Sequence, residues 1–319
     1  MRVLVSGAAG FIGSHLCDAL LDQGATVIGI DNLITGREEN IAHLGGQAGF
    51  EFIQHDIIDP VDVTVDRIFH LASPASPVGY MRHPFETMLV NSRGTHNLLK
   101  MAHAQGARLL FASTSEVYGD PLEHPQTEAY FGNVNPVGPR SCYDESKRFG
   151  EALTMEFVRQ YNVDARIVRI FNTYGPRNDP RDGRVVPNFV MRALAGEPLV
   201  LYGSGEQTRS LCYVSDLVRG LLLMMERDGL SGEIVNLGNP EERTMLDLAE
   251  TIISLCDSRS TIVRQPARPD DPARRRPDIS KARRLLGWEP AVSLEAGMSQ
   301  TVAYFSRYVE PGVSATADR

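Results

Sequence analysis

Tyr143 and Lys147 stand four residues apart, a spacing that on a helix puts both side chains on one face, one turn displaced. A tyrosine hydroxyl has an ordinary pKa of about 10 and takes up the role of base near neutrality only when a neighbouring cation lowers that value. The lysine is such a cation, so the pair reads as a device for removing a hydroxyl proton. The spacing alone also describes many solvated helix faces. Its company sets it apart: upstream lie Ser113-Thr114-Ser115-Glu116, at the end of an apolar run, and a glycine-rich turn near the N-terminus.

That turn, Gly7-Ala8-Ala9-Gly10-Phe11-Ile12-Gly13, follows the β-branched run Met1–Ser6 and precedes Ile12, Leu16, Ala19 and Leu20 at helical spacing. Between a strand and a helix, glycines let the backbone approach a pyrophosphate at the helix N-terminus. The next apolar run, Thr26–Ile30, ends at Asp31, where a carboxylate accepts hydrogen bonds from an adenosine ribose. That carboxylate repels a 2′-phosphate, and Asn32 and Leu33 follow it rather than an arginine, so NAD is favoured over NADP. Asp56, after a third apolar run, is placed to meet the adenine or to close a turn. Asn91 is expected to open a helix over 92–102, either at the cofactor or as an N-terminal cap.

Positioning these residues requires strands and helices in alternation. Strand-like runs recur at 67–72, 108–113, 165–171 and 233–237 with helical stretches between most of them, which predicts an α/β fold: a Rossmann-type doubly wound parallel sheet. Beyond about residue 175 the regularity weakens at Pro176, Pro180, Pro187 and Pro198. We therefore expect an NAD-binding domain over 1–175 with later strands interleaved, a smaller C-terminal substrate-binding lobe mainly over 176–310, and a flexible tail over 311–319. The stretch 268–278 is a charged, proline-punctuated surface loop, and Arg274, Arg275 and Arg276 within it read as a solvated charge run balanced by nearby aspartates.

The 319 residues carry a formal net charge of −8, which argues against a general nucleic-acid or anionic-membrane binder. Cys17, Cys142, Cys212 and Cys256 show neither disulfide nor metal spacing, so reduced thiols and no metal site are expected. Glycines interrupt the apolar start, as a signal peptide would not allow, and no run has membrane-spanning length. A soluble cytoplasmic protein is the expectation.

The segments 7–13, 113–119 and Tyr143-x-x-x-Lys147 resemble the extended short-chain dehydrogenases/reductases that act on nucleotide sugars, over nearly the whole chain. Within that group His70-Leu-Ala-Ser-Pro-Ala-Ser-Pro77, Ser113 through Pro121, Tyr143-Asp-Glu-Ser-Lys147, Phe171-Asn-Thr-Tyr-Gly-Pro-Arg177 and Val235 through Glu242 are most similar to the UDP-glucuronic acid decarboxylases. The resemblance implies an internal redox cycle with tightly held NAD. Tyr143, aided by Lys147 and Thr114, takes the proton of the sugar 4-hydroxyl as NAD takes the carbon-4 hydride. The 4-keto sugar loses carbon dioxide near Ser115, Glu116 and Arg209, and reduction then gives UDP-xylose.

The same resemblance implies cofactor contacts from Gly7, Gly10, Phe11, Ile12, Gly13, Asp31, Asn32, Asp56, Ile57, Leu71, Ala72, Asn91, Tyr143 and Lys147, and substrate contacts from Asn172, Arg209, Arg268 and Asp271. Arg-Pro-x-Asp at 268–271 is a pattern we associate more with epimerases and dehydratases. Ser115 separates this chain from the related 4,6-dehydratases, which carry an acid there, and Glu116 separates it from 4-epimerases, which have a small hydroxyl residue. The resemblance implies a homodimer paired through helices, one of them carrying Tyr143; the eukaryotic members' membrane anchor is not expected, since Met1 opens the first strand. A nucleotide-sugar 4-epimerase or 4,6-dehydratase is the alternative, and a non-catalytic NAD-binding scaffold a remote one.

Overall fold

A computed structural model describes residues 1–266 and 275–309. Its frame is a seven-stranded, all-parallel sheet. The strands are β1 (Arg2–Ser6), β2 (Thr26–Asp31), β3 (Phe50–Gln54), β4 (Arg67–His70), β5 (Arg108–Thr114), β6 (Ala165–Ile170) and, much later in the chain, Ile234–Leu237. Their spatial order runs Ile234–Leu237, β6, β5, β4, β1, β2, β3. The chain thus winds outward from β1 in one direction, returns, and winds out in the other. A crevice opens at the carboxyl ends where the direction reverses, between β1 and β4.

The central strands are apolar on both faces because helices cover both; within β1, residues Val3 to Ser6 are all buried. Helix α1 (Phe11–Asp22) returns from β1 to β2. Two short helices, α2 (Pro77–Arg82) and α3 (Pro84–Leu89), lead to α4 (Thr95–Gln105), and α5 (Ser141–Tyr161) joins β5 to β6. Tyr143, Lys147, Gly150, Thr154 and Phe157 are buried on α5 at alternating spacings of four and three, the stripe of a helix lying on a sheet. Gly150 permits the close approach, since a Cβ there would come 2.4 Å from the Phe111 ring.

One expectation fails at Asn91. No helix starts there: a π-helical turn, Val90–Gly94, carries α3 into α4. Asn91 is fully buried and donates to the carbonyl oxygen of Thr87 (2.9 Å) and to the hydroxyls of Ser73 (3.0 Å) and Ser146 (3.1 Å). The widened turn aims the amide sideways at α5 instead of capping an end.

The rest of the chain adds β7 (Thr173–Tyr174), α6 (Val185–Leu194), β8 (Leu199–Tyr202), β9 (Thr208–Ser210), β10 (Cys212–Tyr213), α7 (Val214–Glu226), β11 (the Ile234–Leu237 strand above), β12 (Glu242–Thr244), α8 (Met245–Leu255), β13 (Ile262–Gln265), α9 (Ser280–Leu286) and α10 (Leu294–Phe305). Three two-stranded pairings, β7 with β10, β8 with β13 and β9 with β12, lie outside the main sheet. No helix among the described residues is long and apolar enough to cross a membrane. The four cysteines are free, Cys17 and Cys212 buried.

Candidate active site

The crevice is a cleft of about 810 Å³ that continues into a smaller pocket beside β2. Gly7, Gly10, Phe11, Ile12 and Gly13 line the cleft at the N-terminus of α1. Gly7 has φ +78°, and a Cβ there would lie 2.8 Å from the Ala72 nitrogen; one at Gly13 would lie 1.9 Å from the Gly7 carbonyl oxygen. Those positions admit only glycine, and α1 starts against the strand with its first amides toward the cleft.

Asp31, Asn32, Asp56, Ile57, Leu71 and Ala72 line the smaller pocket. Asp31 is buried and accepts from the backbone amides of Ala9 (3.0 Å) and Leu33 (2.9 Å); burial nevertheless pushes its pKa up. Asn32 donates to Asp56 at 2.9 Å, which ties the ends of β2 and β3 together. Among the described residues no arginine or lysine lines this pocket, so its donor set suits a dinucleotide whose adenosine ribose is unphosphorylated.

The cleft also gathers Thr114, Ser115, Glu116, Tyr143, Lys147, Asn172 and Arg209, from β5 and the turn after it, α5, the end of β6, and β9. Thr114 is hydrogen-bonded to the Tyr143 hydroxyl, which lowers that hydroxyl's pKa, yet burial dominates and pushes it up. Burial pushes the Lys147 ammonium down to about 7. Lys147 donates to the Ala112 carbonyl oxygen at 2.8 Å, and its nitrogen lies 6.0 Å from the centre of the Tyr143 ring. The lysine faces the tyrosine as the spacing requires, but in the protein alone its hydrogen bond goes to β5. Two buried groups in a low-dielectric site both favour their neutral forms.

Glu116 is the electrostatic centre of the far wall. Its carboxylate is ion-paired with Arg140, three residues before Tyr143, and with Arg275. Both guanidiniums, with Arg209 further off, hold its pKa below the usual carboxylate range against the opposing effect of burial. Arg275 is only 5% exposed and also donates to the Gly119 carbonyl oxygen at 2.9 Å. The reading of 274–276 as a solvated run is therefore corrected at Arg275; Arg276 is partly exposed, 3.8 Å from Glu242, and Arg274 lies outside the described residues. So do Arg268 and Asp271.

Three further residues escaped the sequence reading. Arg140 shares the helical face of Tyr143, a signal that was there to be used. Tyr80 stacks on Tyr143 with ring centres 5.1 Å apart and planes 6° from parallel. Asp144 is buried beside Glu116, and desolvation together with the Glu116 charge pushes its carboxyl up to about 7. Among the described residues no cluster of His, Cys, Asp and Glu could hold a metal ion.

A glycine cradle at a switch point, a Thr–Tyr–Lys group beside it and a glutamate between arginines define an oxidoreductase-type site with a charged far wall. A family model described as GDP-mannose 4,6 dehydratase matches residues 4–301. UDP-glucuronic acid decarboxylase 1 of Danio rerio is 54% identical over 309 residues, which cover 97% of this chain and 73% of that protein. UDP-glucuronic acid decarboxylase 6 of Arabidopsis thaliana is 53% identical over 93% of this chain and 87% of its own length.

The chain belongs to the UDP-glucuronic acid decarboxylase family.

Its fold is shared more widely within the extended short-chain dehydrogenases/reductases. The UDP-glucose 4-epimerase of Thermotoga maritima superposes with a TM-score of 0.87 at 33% identity, covering 97% of this chain and all of that one. The UDP-glucuronic acid 4-epimerase of Bacillus cereus, solved with UDP-glucuronic acid and NAD, gives 0.87 at 30% identity over 97% and 100%.

Proposed function

We propose that this protein converts UDP-glucuronic acid to UDP-xylose and carbon dioxide, using NAD as a bound, recycled cofactor. The observation that carries the reading is Glu116, held by Arg140 and Arg275 within the same cleft as Thr114, Tyr143 and Lys147. Relatives named for this activity at 53–54% identity support it.

Gly7, Gly10, Gly13, Asp31, Asn32 and Asp56 would hold the cofactor, with Leu71 and Ala72 beneath it. When bound, NAD supplies a hydride acceptor, later a hydride donor, and a positive charge that favours a tyrosinate. Tyr143 accepts the proton of the sugar 4-hydroxyl, with Thr114 fixing its hydroxyl and Lys147 shaping the field behind it. The resulting 4-ketone is β to the carboxylate on carbon 5. Carbon dioxide leaves as the bonding electrons pass into an enolate, whose charge Tyr143, now protonated, and the arginine-rich wall stabilise. Carbon 5 then takes a proton from solvent water, and Tyr143 returns its own proton to oxygen 4 as carbon 4 is reduced. Ser115 and Asn172 line the sugar side, and Arg209 suits a phosphate or carboxylate that its planar fork can grip.

Incubating the purified protein with NAD and UDP-glucuronic acid, and following carbon dioxide and nucleotide sugars by mass spectrometry, tests this. Stoichiometric carbon dioxide and UDP-xylose without accumulated NADH are expected; folded, NAD-loaded protein that releases none refutes the reading. Faster turnover of UDP-glucose or dTDP-glucose would favour the 4-epimerase or 4,6-dehydratase alternative. Ser115 counts against dehydration, since a serine is a poor proton donor.

We further divide the chain near residue 175 into a cofactor-binding and a mainly substrate-binding part, with β11 returning to the first. A homodimer paired through α3 and α5 is supported by Phe85, Met88 and Leu89 on α3 and Phe149 on α5, all exposed apolar side chains on adjacent helices. A cytoplasmic setting suits the four unpaired thiols.

A further inference from the structure

Beside the cleft, α5 and β6 bury a complete ion pair. Arg169 grips Glu151 with two hydrogen bonds, Nε to Oε1 at 2.9 Å and Nη2 to Oε2 at 2.8 Å. Both residues are over 90% buried and neither lines the cleft. Replacing such a pair with well-packed apolar residues is often neutral or stabilising, so stability alone is a weak reason for its presence.

Its remaining bonds are more informative. Glu151 Oε1 accepts from the Ser113 hydroxyl at 2.6 Å. Arg169 Nη1 donates to the Tyr118 hydroxyl at 3.0 Å, and its guanidinium lies 4.9 Å from the centre of that ring. Ser113 immediately precedes Thr114-Ser115-Glu116 and Tyr118 follows it by two residues. One ion pair therefore clamps the reacting segment at both ends. The Tyr118 hydroxyl in turn donates to Asn236 at 2.8 Å, and Asn236 donates to the carbonyl oxygens of Gln126 and Asp278. Gln126 exchanges hydrogen bonds with the backbone on both sides of Pro277, two residues beyond Arg275. The same network thus reaches the partner of Glu116.

We propose that the Glu151–Arg169 pair is a positioning device for the reaction: through Ser113 and Tyr118 it sets where Thr114 and Glu116 stand relative to Tyr143 and Arg275. This rests on the decarboxylase reading. A reacting group displaced by about 1 Å can cost on the order of a hundredfold in rate, so the clamp acts on kcat and leaves binding alone.

Removing either charge would leave its partner buried and unpaired, and the chain could fail to fold. The test keeps both charges and removes hydroxyls. Ser113→Thr adds a methyl group and keeps the hydroxyl that bonds Glu151, whereas Ser113→Val has the same shape with a methyl group in the hydroxyl's place; Tyr118→Phe keeps the ring and loses the bonds to Arg169 and Asn236. Each variant is assayed beside wild type for melting temperature, bound NAD, kcat and KM for UDP-glucuronic acid. Ser113→Thr should stay within about twofold of wild type. Ser113→Val and Tyr118→Phe should each lose about tenfold in kcat, with KM and bound NAD unchanged, and the double variant should lose more than either. A folded, NAD-loaded Ser113→Val/Tyr118→Phe protein with wild-type kcat overturns the positioning role, as does equal loss in Ser113→Thr and Ser113→Val. Wild type that binds NAD and releases no carbon dioxide overturns the reading of the reaction itself, and this inference with it.

Discussion

Arg275 lies 159 residues beyond Glu116 in the chain, yet its guanidinium rests on the Glu116 carboxylate from a buried position. The contact closes the far wall of the cleft with a segment that returns from beyond β13. It also makes the state of a glutamate on the β5 turn depend on a loop that sequence order places far away.

Arg275→Ala should lower kcat for carbon dioxide release by at least about thirtyfold. Truncating one partner of a buried charge pair typically costs about 2–5 kcal/mol, and among the described residues Glu116 would keep only Arg140 as its close ion-pair partner. Steady-state kinetics decide it; a loss confined to KM would mean that Arg275 only binds substrate.

Tyr143→Phe should lower carbon dioxide release by at least about a hundredfold, the scale of general acid–base catalysis, with NAD still bound. The side chain loses one buried hydroxyl and its bond to Thr114, and its stacking on Tyr80 is unaffected. Retention of substantial turnover would assign the proton transfer elsewhere.

The ligand-free protein should be least stable near pH 7, as far as Asp144 and Lys147 determine it. Asp144 is raised from 3.8 to about 7 on folding, so the folded state binds the extra proton and stability falls as pH rises across that window. Lys147 is lowered from 10.5 to about 7, so the unfolded state binds the extra proton and stability rises as pH increases from about 7 to about 10. Urea midpoints measured against pH should lose the acid limb in Asp144→Asn and the alkaline limb in Lys147→Met. Parallel profiles for all three proteins would contradict both assignments.

Gly13→Ala should destabilise the chain by about 1–3 kcal/mol, as overpacking does, and abolish NAD retention. The added Cβ would sit 1.9 Å from the Gly7 carbonyl oxygen, which forces α1 away from the turn. Thermal melts with and without added NAD measure both effects.

Much of this protein was legible from residue order alone, wherever the decisive physics is local. The glycine turn sits between an apolar run and an amphipathic helix, so its backbone conformation follows from a few adjacent residues. Tyr143 and Lys147 share a face because a helix repeats every 3.6 residues. The alternation of runs from Met1 to Leu237 predicts the parallel sheet, since each buried strand needs a helix to return the chain.

Tertiary structure decided what depends on contacts between distant segments or on the summed environment of a group. A run of three arginines looks solvated until the fold carries Arg275 to Glu116. Asn91 looks like a helix start until α3 supplies the turns before it and Ser146 of α5 supplies a partner. Spacing brings Lys147 to the face of Tyr143, but burial, which no spacing encodes, favours the neutral form of both, raising the pKa of the tyrosine and lowering that of the lysine, and the ammonium turns to the Ala112 carbonyl oxygen. Local periodicity is written in neighbouring residues; desolvation and long-range pairing come into being only when the chain has closed upon itself.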